Sequence, residues 1–269
     1  MRLRLLPFLL LIALAACRTE RGLQPEDIPT QSSVEQAMTA IPLTEYAPPA
    51  PYNRAVTTFD RVDNRLTELA GWRYIVQLEF TGVFARTPRD ANASARAEVW
   101  FNQLASARRV ILSTSGELIG QAESSGYEAV RLGPDAFLVR DGLCLTGAEE
   151  AAATASELSA GALVGGVTTA LPAGRTAVIN GEESYLFSFD PANLVLPALR
   201  AGDDGRITYT SGELWIAPAR NAVTRFYLNL DVENVVIFDR QLPVTGTVLI
   251  RYDLYEAGTA FNITVPFGC

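Results

Sequence analysis

The stretch W-R-Y-I-V-Q-L-E-F-T-G-V-F, residues 72–84, alternates with a period of two. Trp72, Tyr74, Val76, Leu78, Phe80 and Phe84 fall on one side, and Arg73, Gln77, Glu79 and Thr81 on the other, with Ile75 the exception. A period of two is the strand period. A strand with one wet face belongs to an antiparallel sheet, because parallel sheets are covered on both faces.

The same pattern recurs on the C-terminal side. Strands are expected at 97–104, 109–114, 127–132, 136–139, 176–179, 184–189, 213–217, 223–233, 247–255 and 261–266, separated by Gly, Ser, Pro and Asp in turn positions. In 223–232, Phe226, Leu228, Leu230 and Val232 oppose Arg225, Asn229 and Asp231. Asn180-Gly181 reads as a hairpin turn.

Helices are expected in three places around these strands. Thr57-x-x-Asp60 can cap a helix whose face holds Phe59, Val62, Leu66 and Leu69 and which Gly71 ends. Thr146-x-x-Glu149 can cap an Ala-rich helix to about residue 160, followed by a flexible Ala/Gly stretch. Asp190-Pro191 has the N-cap and first-position signature of a short helix through 194–199, shortened by Pro197.

The fold class that follows is α+β, mainly antiparallel β, with about ten strands. A meander that long must curl or split. The economical form is a strongly curved half-barrel sheet with a few short helices on its concave side, in one domain over 57–269.

The N-terminus reads as an address. Arg2 and Arg4 precede an apolar run from Leu5 to Ala16, which Pro7 interrupts. It is too short to span a bilayer, which takes about 20 apolar residues, and has the form of a secretory signal. Leu14-Ala15-Ala16-Cys17 resembles a bacterial lipobox, in which the Cys is acylated and becomes the new N-terminus. The expectation is a signal over 1–16, acylated Cys17 with a Pro-rich tether over 17–56, and an exported protein held on the outer side of the cytoplasmic membrane. The other reading is ordinary signal cleavage with Cys17 nearby by chance. Within the tether, Ser32-Ser33-Val34-Glu35 has capping-box spacing before Val34, Ala37, Met38 and Ile41.

Composition removes whole classes of function. The chain has no His and no Lys. Without His there is no Ser-His-Asp or Cys-His catalysis, no His-based zinc site and no ordinary neutral-pH proton carrier. Removing residues 1–16 leaves 20 Arg against 30 acidic residues, a formal charge of −10. That balance argues against nucleic acid, which needs a basic footprint. The neighbouring acids Glu149–Glu150 and Asp203–Asp204 read as solvated surface charge. No phosphate loop, dinucleotide-binding glycine pattern or calcium loop is present in the sequence. The expectation is a non-enzymatic monomer with no cofactor and no metal.

If Cys17 is acylated, Cys144 and Cys269 remain as a pair. An exported compartment permits a disulfide between them. Two free thiols are the alternative.

Three stretches resemble the LolA/LolB-like lipoprotein-carrier fold, including the LppX/LprAFG lipoproteins. They are L-T-E-L-A-G-W-R-Y-I-V-Q-L-E-F-T-G (66–82), V-I-N-G-E-E-S-Y-L-F-S-F-D-P-A-N-L (178–194) and S-G-E-L-W-I-A-P-A-R-N-A-V-T-R-F-Y (211–227). The resemblance implies an apolar cavity between sheet and helices that holds acyl chains, the ligand being a lipid or glycolipid. Its lining would include Trp72, Tyr74, Val76, Leu78, Phe80, Phe101, Phe187 and Phe226. The alternative is that these side chains fill a solid core, and that the protein is an envelope adaptor that binds a partner.

Overall fold

The computed structural model describes residues 56–59, 66–87, 89–119, 121–147, 150–238 and 242–269. The signal segment, Cys17 and the capping-box helix of the tether lie outside the described residues.

The alternation of 72–84 becomes strand β2 (Gly71–Phe84), with Trp72, Tyr74, Val76, Leu78 and Phe80 buried. Hairpins then build outward from β2 through β3 (Asp90–Asn102), β4 (Ala107–Gly116), β5 (Gln121–Leu132), β6 (Asp135–Arg140) and β7 (Leu143–Thr146). The β6–β7 turn is Asp141-Gly142 with φ of 51° and 75°, the two-residue turn whose twist matches paired strands. After two helices come β8 (Gly166–Ile179), β9 (Glu182–Ser188), β10 (Leu194–Val195), β11 (Leu199–Ala217), β12 (Ala222–Ile237) and β13 (Val244–Tyr255). The expected Asn180-Gly181 turn joins β8 to β9, with φ of 52° and 91°.

One open, curved antiparallel sheet results, in the order β1-β8-β9-β11-β12-β13-β2-β3-β4-β5-β6-β7. β1 (Val56–Phe59) lies at one edge, and β10 is a short extra partner of β8. This is the half-barrel expected from the sequence. The link from β7 to β8 must cross from one edge of the sheet to the other side. It carries α1 (Glu150–Ser156) and α2 (Ala160–Val164), which pack over β4–β7 and over β2 and β13 respectively. The crossing is what puts the helices on the concave face.

Several local expectations are corrected. The helix expected from Thr57 is β1 at its start, where Val56 to Phe59 pair with β8, and a 3₁₀ turn at Leu66–Glu68. The helix expected over 146–160 is α1 alone, and part of the expected flexible stretch is α2, capped by Ser159 Oγ accepting from the Gly161 amide at 3.2 Å. The Asp190 cap is made, its carboxylate accepting from the Ala192 amide at 2.8 Å, but the 3₁₀ helix covers only Pro191–Asn193 before β10 begins. The strands starting at 176 and 213 start instead at Gly166 and Leu199. Asp203 and Asp204 are exposed within β11, where the register with β12 shifts between Ala201 and Arg206.

The strand expected at 261–266 is absent. Residues 256–269 instead run as a strap over the convex face. The Gly258 amide donates to the Gly71 carbonyl at 2.8 Å, and Asn102 Nδ2 donates to the Phe261 carbonyl at 2.7 Å. Residues 262–267 then line a cleft with Arg109 and Glu128, which project from the convex side of β4 and β5. The crossing needs Gly71, because a Cβ there would stand 2.2 Å from the Thr259 carbonyl oxygen. Val130, although on the convex face, is fully buried. The strap ends where Cys269 is disulfide-bonded to Cys144 on β7, with a Cα–Cα distance of 5.3 Å.

Candidate functional site

Register builds the concave face row by row, since directly opposed residues share a face. One row runs Phe187, Leu214, Phe226, Tyr252, Val76, Ala97, Leu112, Tyr127 from β9 to β5. The next holds Leu254, Tyr74, Val99, Val110, Ala129, Leu138 and Leu145. On the other side lie Leu228, Ile250, Leu78 and Ala95. The face is apolar across the sheet.

All eight residues expected to line a cavity fall on this face. Seven are buried and Phe101 is partly exposed. Those seven belong to one hydrophobic core cluster and Phe101 packs against it, with the aromatic rings meeting in two groups. Trp72 stacks on Tyr74 with centroids 5.0 Å apart and on Phe101 at 5.2 Å, and Tyr74 reaches Tyr252 at 5.4 Å. Phe226 belongs to a second group, with Phe189 at 6.1 Å and Tyr209 beyond it. Between the large side chains of β2 and those of β4, strand β3 presents Ala91, Ala93, Ala95 and Ala97, all buried. This small-residue column is about 20 Å long at the rise of a strand. Leu118, from the 3₁₀ turn Glu117–Ile119, is buried where that turn packs against β3.

The polar end of the face lies under the α1–α2 link. Tyr74 Oη accepts the Ala160 amide at 2.9 Å and an Arg108 Nη2–H at 3.3 Å. Arg108 also donates to the Leu158 carbonyl and lies over the Trp72 ring at 5.5 Å. It is 9% exposed. The row Trp72–Phe101–Arg108–Arg131–Ala136 sets Arg131 directly opposite Arg108. Arg131 pairs with Glu157 just after α1. Nearby, burial raises the Tyr127 phenol above its ordinary range, and its hydroxyl donates to the Ala155 carbonyl at 3.4 Å.

The sequence reading missed both arginines. The signal was present: in A-R-R-V-I-L, any strand containing both Arg108 and Arg109 must turn one inward. The expected strand began at 109 and avoided the conflict.

The convex face is polar and internally paired. Asp253, buried, accepts from Arg225 Nε at 2.9 Å, from Asn180 Nδ2 at 3.1 Å and from the Tyr227 hydroxyl. Burial first, then the hydrogen bond to Asp253, pushes the Tyr227 phenol up to about 12. Among the described residues no group of three or more His, Cys, Asp or Glu could hold a metal ion.

No protein-family model and no curated protein matches the sequence. Solved structures do. The chain is similar to LprF from Mycobacterium bovis at 14% identity, covering 77% of this chain and 93% of that one, with a TM-score of 0.36. It is also similar to a LolA superfamily protein from Nitrosomonas europaea at 10% identity, covering 78% and 96%, with a TM-score of 0.27. A DUF1329 family protein from Desulfovibrio piger matches at 9% identity, covering 75% and 90%, with a TM-score of 0.22.

Proposed function

We propose that the chain is an exported, acyl-anchored protein of a bacterial envelope that holds acyl chains against its concave face. It carries rather than catalyses. The supporting observation is the breadth of the concave apolar face, whose side chains are almost fully withdrawn from solvent well beyond the reach of the two short helices that cross it. The face extends over most of a sheet whose strands are spaced about 4.8 Å apart. The helices that cross it are seven and five residues long, and at 1.5 Å per residue they cover only about 10 and 8 Å. An acyl chain has no specific polar handle, so dry volume lined by apolar side chains is sufficient to hold it.

The test is native mass spectrometry of the full chain carrying Cys17→Ala, exported into an oxidising compartment, with lipid extraction alongside. A bound mass in the lipid range is expected. A bare polypeptide that takes up no lipid would sink the reading. Fractionation of the same variant tests the anchor: the wild-type chain pellets with membranes and Cys17→Ala does not.

A second reading, an adaptor with a filled core, draws support from the continuous Phe101–Trp72–Tyr74–Tyr252 stack. Capture of an envelope protein by lipid-free chain would favour it.

A further inference from the structure

Acyl chains require no cations, yet two guanidinium groups stand side by side on the apolar face. Arg108 and Arg131 are directly opposed on β4 and β5, a placement in which like charges repel. Neither can be neutralised by losing a proton. Glu157 offsets Arg131. Arg108 has no carboxylate partner among the described residues; its contacts are the Tyr74 hydroxyl, the Leu158 carbonyl and the Trp72 ring. A buried charge without a counter-ion is costly.

The unmet hydrogen-bonding capacity is one-sided. Arg108 Nε, Arg131 Nε and Trp72 Nε1 are all buried without a hydrogen-bond partner among the described residues. All three are donors. An excess of donors with net positive charge is complementary to a phosphate or carboxylate, the groups that guanidinium binds best.

We propose that Arg108 and Arg131 seat the anionic headgroup of an amphiphile whose acyl chain lies on the concave face. The proposal rests on the acyl-binding reading and gives it an orientation. From the arginine row, β3 continues through Val99 to the alanine column Ala97, Ala95, Ala93 and Ala91. The headgroup sits under the α1–α2 link and the chain extends along the small side chains. Neutral lipids would fit the face but leave Arg108 without a counter-ion.

The experiment is calorimetric titration of the full chain carrying Cys17→Ala with lysophosphatidic acid and with the monoacylglycerol of the same chain length, which differ only in the phosphate. Inorganic phosphate is titrated separately. Lysophosphatidic acid is expected to bind about ten-fold tighter or more, the worth of a charge-assisted hydrogen bond. Arg131→Gln should bring that ratio toward one, and so should Arg108→Gln if that buried position tolerates the change. Equal binding of the two lipids, or a preference that survives Arg131→Gln and Arg108→Gln, overturns the headgroup seat and leaves acyl binding standing. Binding of neither lipid overturns both. Inorganic phosphate binding as tightly as lysophosphatidic acid makes the site one for a free anion, and overturns the headgroup assignment.

Discussion

The hydroxyl of Tyr74 accepts the backbone N–H of Ala160 at 2.9 Å, tying β2 to the first residue of α2 across 86 positions of chain. The same oxygen accepts from Arg108, which also holds the Leu158 carbonyl. Two side chains, Tyr74 and Arg108, thus fasten the helical crossing to the sheet, in a place where packing area is small because the helices are short.

Tyr74→Phe should therefore lower stability by about 1–2 kcal/mol, the cost of leaving a buried donor unmet. Urea unfolding measures the loss. Amide exchange at Ala160 should speed up at the same time, and unchanged protection there would show that the hydroxyl does not hold the link.

Cys269→Ser opens a loop of 125 residues' separation. The chain-entropy account predicts a loss of about 3–5 kcal/mol. Thermal and urea melts with and without reductant should separate for the wild-type chain and coincide for the variant. Coincidence in both would mean that the cross-link does not restrain the chain.

Stability should fall as pH rises from about 10 to about 12. The Tyr227 phenol is pushed from 10.0 to about 12 by burial and by Asp253. Within that window the unfolded chain has lost a proton that the folded chain keeps, so alkali favours unfolding. Below pH 10 both states are protonated and the dependence vanishes. Burial also raises Tyr127 and Tyr209, so Tyr227→Phe should flatten the slope without removing it. A variant slope equal to wild type would contradict the assignment.

Ala95→Phe should fill the small-residue column of β3. Overpacking of this kind costs about 1–3 kcal/mol, and lipid uptake should fall sharply. Arg96→Ala, on the opposite face of the same strand, should leave uptake unchanged. Full uptake by Ala95→Phe would place the ligand elsewhere on the face.

The parts of the fold that were legible in the sequence are those where one face is buried. In β2 and β12 burial imposes alternation: the expected 72–84 matches β2 to within one residue, and the expected 223–233 starts within one residue of β12 but stops four residues short of its end. The first half of β11, R-A-G-D-D-G-R, is exposed along its length. It pairs with β12 only on either side of the register shift between Ala201 and Arg206, and has no buried face to impose a pattern. Residues 166–175 bury only Gly166, Val167 and Ala170, a spacing that is not the strand period, with Gly, Pro and small polar residues among the rest. The opposite error arose at 261–266, where Phe261, Ile263 and Val265 alternate without a strand partner. The aromatic lining was legible because it follows the strand period. Arg108 was not, because a double arginine reads as a wet face until register forces one side chain inward.

The C-terminal strap has a mechanical consequence. It is an inextensible segment on the outer side of a bend, fastened at Gly71 by the Gly258 hydrogen bond and at β7 by a covalent bond. Tightening the bend lengthens the path over its outer surface, so the strap opposes any inward roll of β2–β7 that would carry it past its full extension. Flattening only slackens it. The strap therefore sets a limit on how tightly the arc of β2–β7 can close, and none on how far it can open.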